Sequence, residues 1–204
     1  MMLLALGGPA TAAPPMMTAL HKKGLSCFTP FRCISTRQVP TPTPGEGQAL
    51  VKVAASSVNP CDVDYIELGF GCKGAAGTLG MDLAGTVVGF QDPQSHRGLG
   101  ACARLQVGDA VWADGPKTGA MAEYAVVSCE QAGLKPKTLN LTEAGTIPLV
   151  GFTALEMWLK TGAPFTAPNL TAVVTSGTGA LSFSAASFCC FFLLWPQVYR
   201  ASVK

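Results

Sequence analysis

"GQALVKVAASSVNPCD", residues Gly47–Asp62, holds a short Val-rich run between two sets of turn residues. Leu50, Lys52 and Ala54 fall on one face of an extended chain, and Val51, Val53 and Ala55 on the other. That pattern predicts a strand, and Asn59-Pro60 ends it. Upstream, "VPTPTPGEGQ" (Val39–Gln48) is a Pro/Gly segment that no helix crosses. Residues 1–20 before it read as a leader without periodicity.

Downstream the strand pattern repeats. "MDLAGTVVGF" (Met81–Phe90) is a second strand, in which Gly85 marks a bulge or a close backbone approach. "VGDAVWA" (Val107–Ala113) is a third, and "GAMAEYAVVS" (Gly119–Ser128) a fourth. Short strands with Gly-rich turns describe a small barrel or rolled sheet. The pattern then turns helical. A first helix is expected to start at Thr142 as N-cap and to close at Pro148. A better one covers "LVGFTALEMWLKTG" (Leu149–Gly162), with Phe152, Leu155 and Trp158/Leu159 at helical spacing. "LTAVVTS" (Leu170–Ser176) returns to a short buried strand, followed by the Gly177–Gly179 turn.

Composition narrows the function classes. Hydrophobic residues make up 49% of the 204-residue chain, and charged ones 13%, against about 25% in average proteins. A net charge of +2 without a basic cluster excludes an electrostatic grip on nucleic acid. Eight cysteines form no Cys-x-x-Cys pair, and there are two histidines. Scattered free thiols in a reducing compartment are the reading, which places the protein in the cytoplasm. The tail carries no charge between Lys160 and Arg200. Its densest run, Ala180–Trp195, is about 24 Å long as a helix, short of the roughly 30 Å hydrocarbon core.

In order and spacing, "PTPGEGQALVKVAASSVNPCD", "LGMDLAGTVV", "VGDAVWA", "GAMAEYAVV" and "TEAGTIPLVGFTALEMWL" resemble blocks of the medium-chain dehydrogenase/reductase superfamily, in its zinc-free quinone oxidoreductase branch. The resemblance implies a mainly β fold with some α. A GroES-like barrel is followed by helices and the first strand of an incomplete Rossmann domain. It divides the chain into an N-terminal extension and first strand region (1–38), a GroES-like domain (39–140), helices and the start of the Rossmann domain (141–179), and a divergent hydrophobic tail (180–204). The implied activity is NADPH-dependent hydride transfer to a quinone or enone, the small-molecule partner.

Site residues follow from the same resemblance. Asn59, Asp62 and Tyr65 correspond to the turn that lines the substrate cleft in the family, although the usual tyrosine position is held by Asp64. Taken alone, Asn59–Asp62 also reads as a turn whose Asn and Asp side chains bond their own backbone. Thr153 matches a threonine that approaches the nicotinamide, and reads equally as a small helix residue near a core face. Ser176, Gly177 and Gly179 correspond to the first part of the nucleotide turn. Zinc is not expected, because Asn59 and Met81 stand where the zinc enzymes place a cysteine and a histidine.

The nucleotide fingerprint stops after Gly179. Its third glycine is missing, and residues 180–204 contain no Asp or Glu to meet the ribose hydroxyls. No residues are left for a second strand of a nucleotide-binding sheet. The expectation is therefore a nucleotide domain that is cut short and a chain that is impaired or inactive by itself. The tail is expected to expose an apolar patch suited to a second copy of the chain or a membrane surface. The competing reading is a non-catalytic GroES-like interaction module or a membrane-associated fragment.

Overall fold

The computed structural model describes residues 13–23, 32–68, 77–91, 100–116, 118–160, 173–174 and 202–203. Two compact units divide between Thr146 and Ile147.

In the first unit, β1 (Met16–Lys22) and β2 (Ile34–Pro40) form an antiparallel pair, from Met16 opposite Pro40 to Lys22 opposite Ile34. The remaining strands are β3 (Gln48–Ala55), β4 (Asp82–Phe90), β5 (Ala110–Asp114), β6 (Tyr124–Ser128) and β7 (Ala132–Leu134). They form a five-stranded antiparallel sheet in the order β6-β3-β4-β5-β7. Alternation buries Ala49, Val51, Leu83, Val87, Val111, Ala113, Ala125 and Val127 in one core. The two sheets are joined along β1. Leu20 donates its amide to the Met121 carbonyl (2.7 Å), Met121 to Leu79 (2.8 Å), and Leu79 back to Leu20 (3.1 Å).

The four strands expected between Gln48 and Ser128 are present, β5 and β6 with later starts. Gly85 makes the close approach expected of it: a Cβ there would lie 2.2 Å from the Lys52 carbonyl oxygen. The pairing of β3 with β4 shifts register on either side of it. Residues 1–20 are not wholly a leader, because β1 begins at Met16. Its burial alternates on small and mixed residues, with Met17 and Ala19 buried, so the hydrophobic signal is faint.

Between β3 and β4 the chain forms α1 (Pro60–Leu68), with proline at the first helical position, where no N–H is needed. A second cluster seats this helix: Ile66, Leu79 and Cys33, with Leu20, Ile34, Tyr65 and Met121 packed against them. The short helix α2 (Leu141–Ala144) is capped by Asn140, two residues before the expected Thr142. The Asn140 side chain accepts from the Glu143 amide at 2.9 Å, and the Glu143 carboxylate accepts from the Asn140 amide at 2.8 Å.

The expectation of free thiols is overturned. Cys102, on the turn Ala101–Arg104, is disulfide-bonded to Cys129 at the end of β6, with a Cα–Cα distance of 5.0 Å. Cys33 and Cys61 also stand in disulfides. A sequence separation of 27 carries no motif; only the folding of the sheet brings Cys102 and Cys129 within bonding reach.

The second unit contains α3 (Pro148–Lys160), so Pro148 opens this helix and does not close the one before it. Lys160 and Glu156 pair on its exposed side at 2.9 Å. β8 (Val173–Val174) pairs in parallel with β9 (Ser202–Val203), so a second strand partner exists where none was expected. Among the described residues no helix is long and apolar enough to cross a membrane.

Candidate active site

The turn from β3 into α1 carries a buried polar network. Asp62 is buried in the first turn of α1. One of its carboxylate oxygens accepts from the Asn59 amide at 2.9 Å, the other from the Gly80 amide at 3.1 Å. The carboxylate therefore fastens the head of α1 to the segment that enters β4. Burial pushes the Asp62 pKa up, with a further push from Asp82, while the two amides pull it back.

Asp82, the fully buried first residue of β4, is the second hub. Its Oδ2 accepts from the Asn59 Nδ2 at 2.7 Å and, in a shorter bond, from the Ser57 hydroxyl. Asn59 Nδ2 also lies 3.3 Å from the Ser57 Oγ. With its amide nitrogen donating to both the Asp82 carboxylate and the Ser57 oxygen, Asn59 offers only its carbonyl oxygen for further bonding.

Asp82 also faces Asp114, its direct partner across β4 and β5. Side chains at such paired positions share one face of the sheet. Burial first, and the Asp82 charge second, push the Asp114 pKa from 3.8 to about 6.

Asn59 and Asp62 are thus brought together, as their spacing implied. Their bonds include the turn's own backbone but extend to Gly80 and Asp82. Tyr65 lies one helical turn on, packed in the Ile66–Leu79 cluster and outside the Asp82 network. Lys22 reaches it from β1: Nζ donates to the Tyr65 carbonyl at 2.6 Å and sits 4.7 Å above the Tyr65 ring. Sequence reasoning missed Lys22, Ser57, Asp82 and Asp114 as site residues. An Asp beside the GlyMet pair at 80–81 was the one available signal. In the second unit, Thr153 is exposed on α3 and its hydroxyl donates to the Leu149 carbonyl at 2.7 Å. Ser176, Gly177 and Gly179 lie outside the described residues.

Among the described residues no three His, Cys, Asp or Glu side chains group to hold a metal. An open groove of about 380 Å³ borders the turn, walled by Thr18, Leu20, Val53, Ser56 and Met121.

The fold and this turn define a class. Residues 45–137 match the alcohol dehydrogenase GroES-like domain, and through that segment the chain is similar to the medium-chain dehydrogenase/reductase superfamily. Over 133 residues it is 35% identical to the mitochondrial NAD(P)H oxidoreductase RTN4IP1 of Mus musculus, covering 56% of this chain and 31% of that one. It is 34% identical over 136 residues to the 2-methylene-furan-3-one reductase of Solanum lycopersicum, covering 61% and 32%. An alcohol dehydrogenase superfamily protein from Novosphingobium aromaticivorans superposes with a TM-score of 0.67 at 27% identity, covering 92% of this chain and 52% of that one. The chain spans about a third of the length of these two curated relatives.

Proposed function

We propose that this chain is the substrate-binding part of an oxidoreductase that uses NADPH to reduce a quinone or an enone without zinc. The observation that carries this reading is the Asn59 carboxamide, held by Asp82 at 2.7 Å at the head of α1. Held in this way, it presents a fixed acceptor and no free donor. Such an acceptor suits a partner with N–H or O–H groups, as the nicotinamide carboxamide and a forming hydroquinone both have. The names of the relatives, an NAD(P)H oxidoreductase and a 2-methylene-furan-3-one reductase, support the same class.

Bound NADPH would supply the hydride, the hard part of the chemistry. The chain's own residues hold the rings in place. Asp62 fixes the backbone of the turn, Asn59 orients the carboxamide or hydroxyl it meets, and Tyr65 lines the cleft. Thr153 keeps its lone pairs free to accept, since its own proton goes to Leu149. Ser176, Gly177 and Gly179 supply the first part of the pyrophosphate turn. The third glycine is missing from that turn, and weak NADPH binding is expected from it. Zinc independence rests on Asn59, whose amide nitrogen is no zinc ligand, and on Met81. Cytoplasmic residence, argued first from free thiols, loses that support because Cys33, Cys61, Cys102 and Cys129 are disulfide-bonded.

The test is NADPH-dependent reduction of a short-chain quinone and of an enone by the full chain, with Asn59→Ala beside it. The substitution is expected to lower kcat/KM by at least about tenfold, the share of one well-placed hydrogen bond. No reduction of either substrate, together with no binding of either in a titration of the full chain, would overturn the proposal and leave the non-catalytic module.

A further inference from the structure

Hydride transfer to a quinone or enone leaves a carbonyl oxygen with negative charge. That oxygen needs a hydrogen-bond donor, whereas Asn59 presents an acceptor. Ser57 does not serve, since its hydroxyl donates to the buried Asp82 carboxylate. Three hydroxyl side chains wall the groove beside the turn: Thr18, Thr36 and Ser56. Thr36 is exposed, and Thr18 Oγ1 accepts from Gln38 Nε2 at 3.0 Å. Ser56 differs from both. Its Oγ is closed to solvent and has no hydrogen-bond partner among the described residues. A hydroxyl shut away with its proton unspent destabilises the fold, and an incoming acceptor relieves that cost. A Cβ built on Gly80 would lie 3.0 Å from Ser56 Oγ and 2.8 Å from Met121 Cγ, so serine and methionine lie side by side over that glycine. Met121 also walls the groove and is only half-buried. Its unbranched side chain is the movable part of the cover. One staggered step about the Ser56 Cα–Cβ bond then turns the hydroxyl toward the groove.

We propose that Ser56 is the hydrogen-bond donor of this groove, bonding the carbonyl oxygen of a quinone or enone, the atom that turns negative as hydride arrives. The inference rests on the oxidoreductase reading. The Ser56 O–H bond stays intact throughout. The substrate gains a hydride from the reduced nicotinamide, which is oxidised, and a proton from water, which the open groove admits. Leu20, Val53 and Met121 supply apolar contact for the rings, and the donor fixes which oxygen faces the wall. A donor held ready in an apolar wall does more for a forming oxyanion than one already bonded to water. The hydroxyl is unpaired in the free chain and paired in the complex, so binding and not folding collects its hydrogen bond.

Three measurements on the full chain test this, with 1,4-naphthoquinone as the probe. Infrared difference spectra of the bound quinone need no turnover. Its carbonyl band is expected to split, with one component lowered by the hydrogen bond, and to return to a single band in Ser56→Ala. An unsplit band, or a split one unchanged in Ser56→Ala, overturns the proposal. Urea unfolding of the ligand-free chain comes second. Ser56→Ala is expected to keep or raise the midpoint, because no hydrogen bond is lost. A lower midpoint assigns the hydroxyl to the fold and sinks its role as a donor. Quinone reduction with NADPH is the third. Ser56→Ala is expected to lower kcat on the order of a hundredfold, the effect of removing one oxyanion donor, with a smaller rise in KM. Equal kcat in the two proteins removes Ser56 from the reaction and leaves the oxidoreductase reading standing. A split band in a chain without turnover removes that reading and keeps Ser56 as the carbonyl-binding residue. No binding of the quinone to the unmodified chain removes both.

Discussion

Asp114 carries a cost that folding imposes on a single carboxyl group. Its pKa rises from 3.8 to about 6, chiefly by burial and then by the Asp82 charge. The folded chain therefore binds more protons than the unfolded one between those values, and stability falls as pH rises through that window. Below 3.8 both states are protonated and the cost is absent; above 6 it is complete. Asp114→Asn is expected to stabilise the protein at pH 8, with an upper bound of about 3 kcal/mol, and to leave it unchanged near pH 3.5. Urea unfolding at the two pH values checks this; equal gain at both would assign it to packing. How far such residues are legible depends on what brings them together. Asn59 and Asp62 stand three apart across a helix start, so local spacing reveals them. Asp82 is 23 residues from Asn59, and Lys22 is 43 from Tyr65. Only sheet pairing and helix docking join those pairs, and neither is written in a short motif.

Among the elements, β3 and β4 were the most legible, because their Val-rich runs are bounded by turns and Gly85 interrupts the second. A side chain at Gly85 would meet the Lys52 carbonyl oxygen at 2.2 Å and the Val51 side chain at 2.8 Å. Backbone is the nearer obstacle, and it cannot rotate aside. Gly85→Ala is thus expected to cost about 3 kcal/mol, the upper end of overpacking, read as a lower urea midpoint with an unchanged slope. A cost below about 1 kcal/mol would mean that the β3–β4 pairing is looser than described. The β1–β2 pair was illegible for the opposite reason. Its buried positions are Met17, Ala19 and Lys22, all on β1, and β2 buries none, so the period-2 signal is weak. The cap of α2 was misplaced because Asn140 and Thr142 both precede helical sequence. Only Asn140 has Glu143 three residues on to complete the reciprocal pair.

At the scale of the molecule, the family blocks located the barrel, but chain closure within it was hidden. Cys102 and Cys129 join the turn before β5 to the end of β6 inside the main core. Arg104 reinforces the same join, its Nη2 donating to the Cys129 carbonyl at 2.6 Å and to the Ala132 carbonyl at 2.7 Å. The two links differ in what breaks them. A reductant opens the disulfide and leaves the guanidinium bonds intact. Closing a loop of this length restricts the unfolded chain by about 3–4 kcal/mol on the chain-entropy model, and that contribution disappears on reduction. The core and Arg104 act in the folded state and persist. We therefore expect the Cys102→Ser, Cys129→Ser double variant to keep the native circular dichroism spectrum while its urea midpoint falls. Added reductant is expected to lower the midpoint of the unmodified chain by more than that of the variant, the difference being what the Cys102–Cys129 link contributes. Arg104→Ala in the double variant removes the second link and is expected to lower the midpoint again. If reductant shifts both proteins equally, Cys102 and Cys129 behave as the free thiols first read from the sequence.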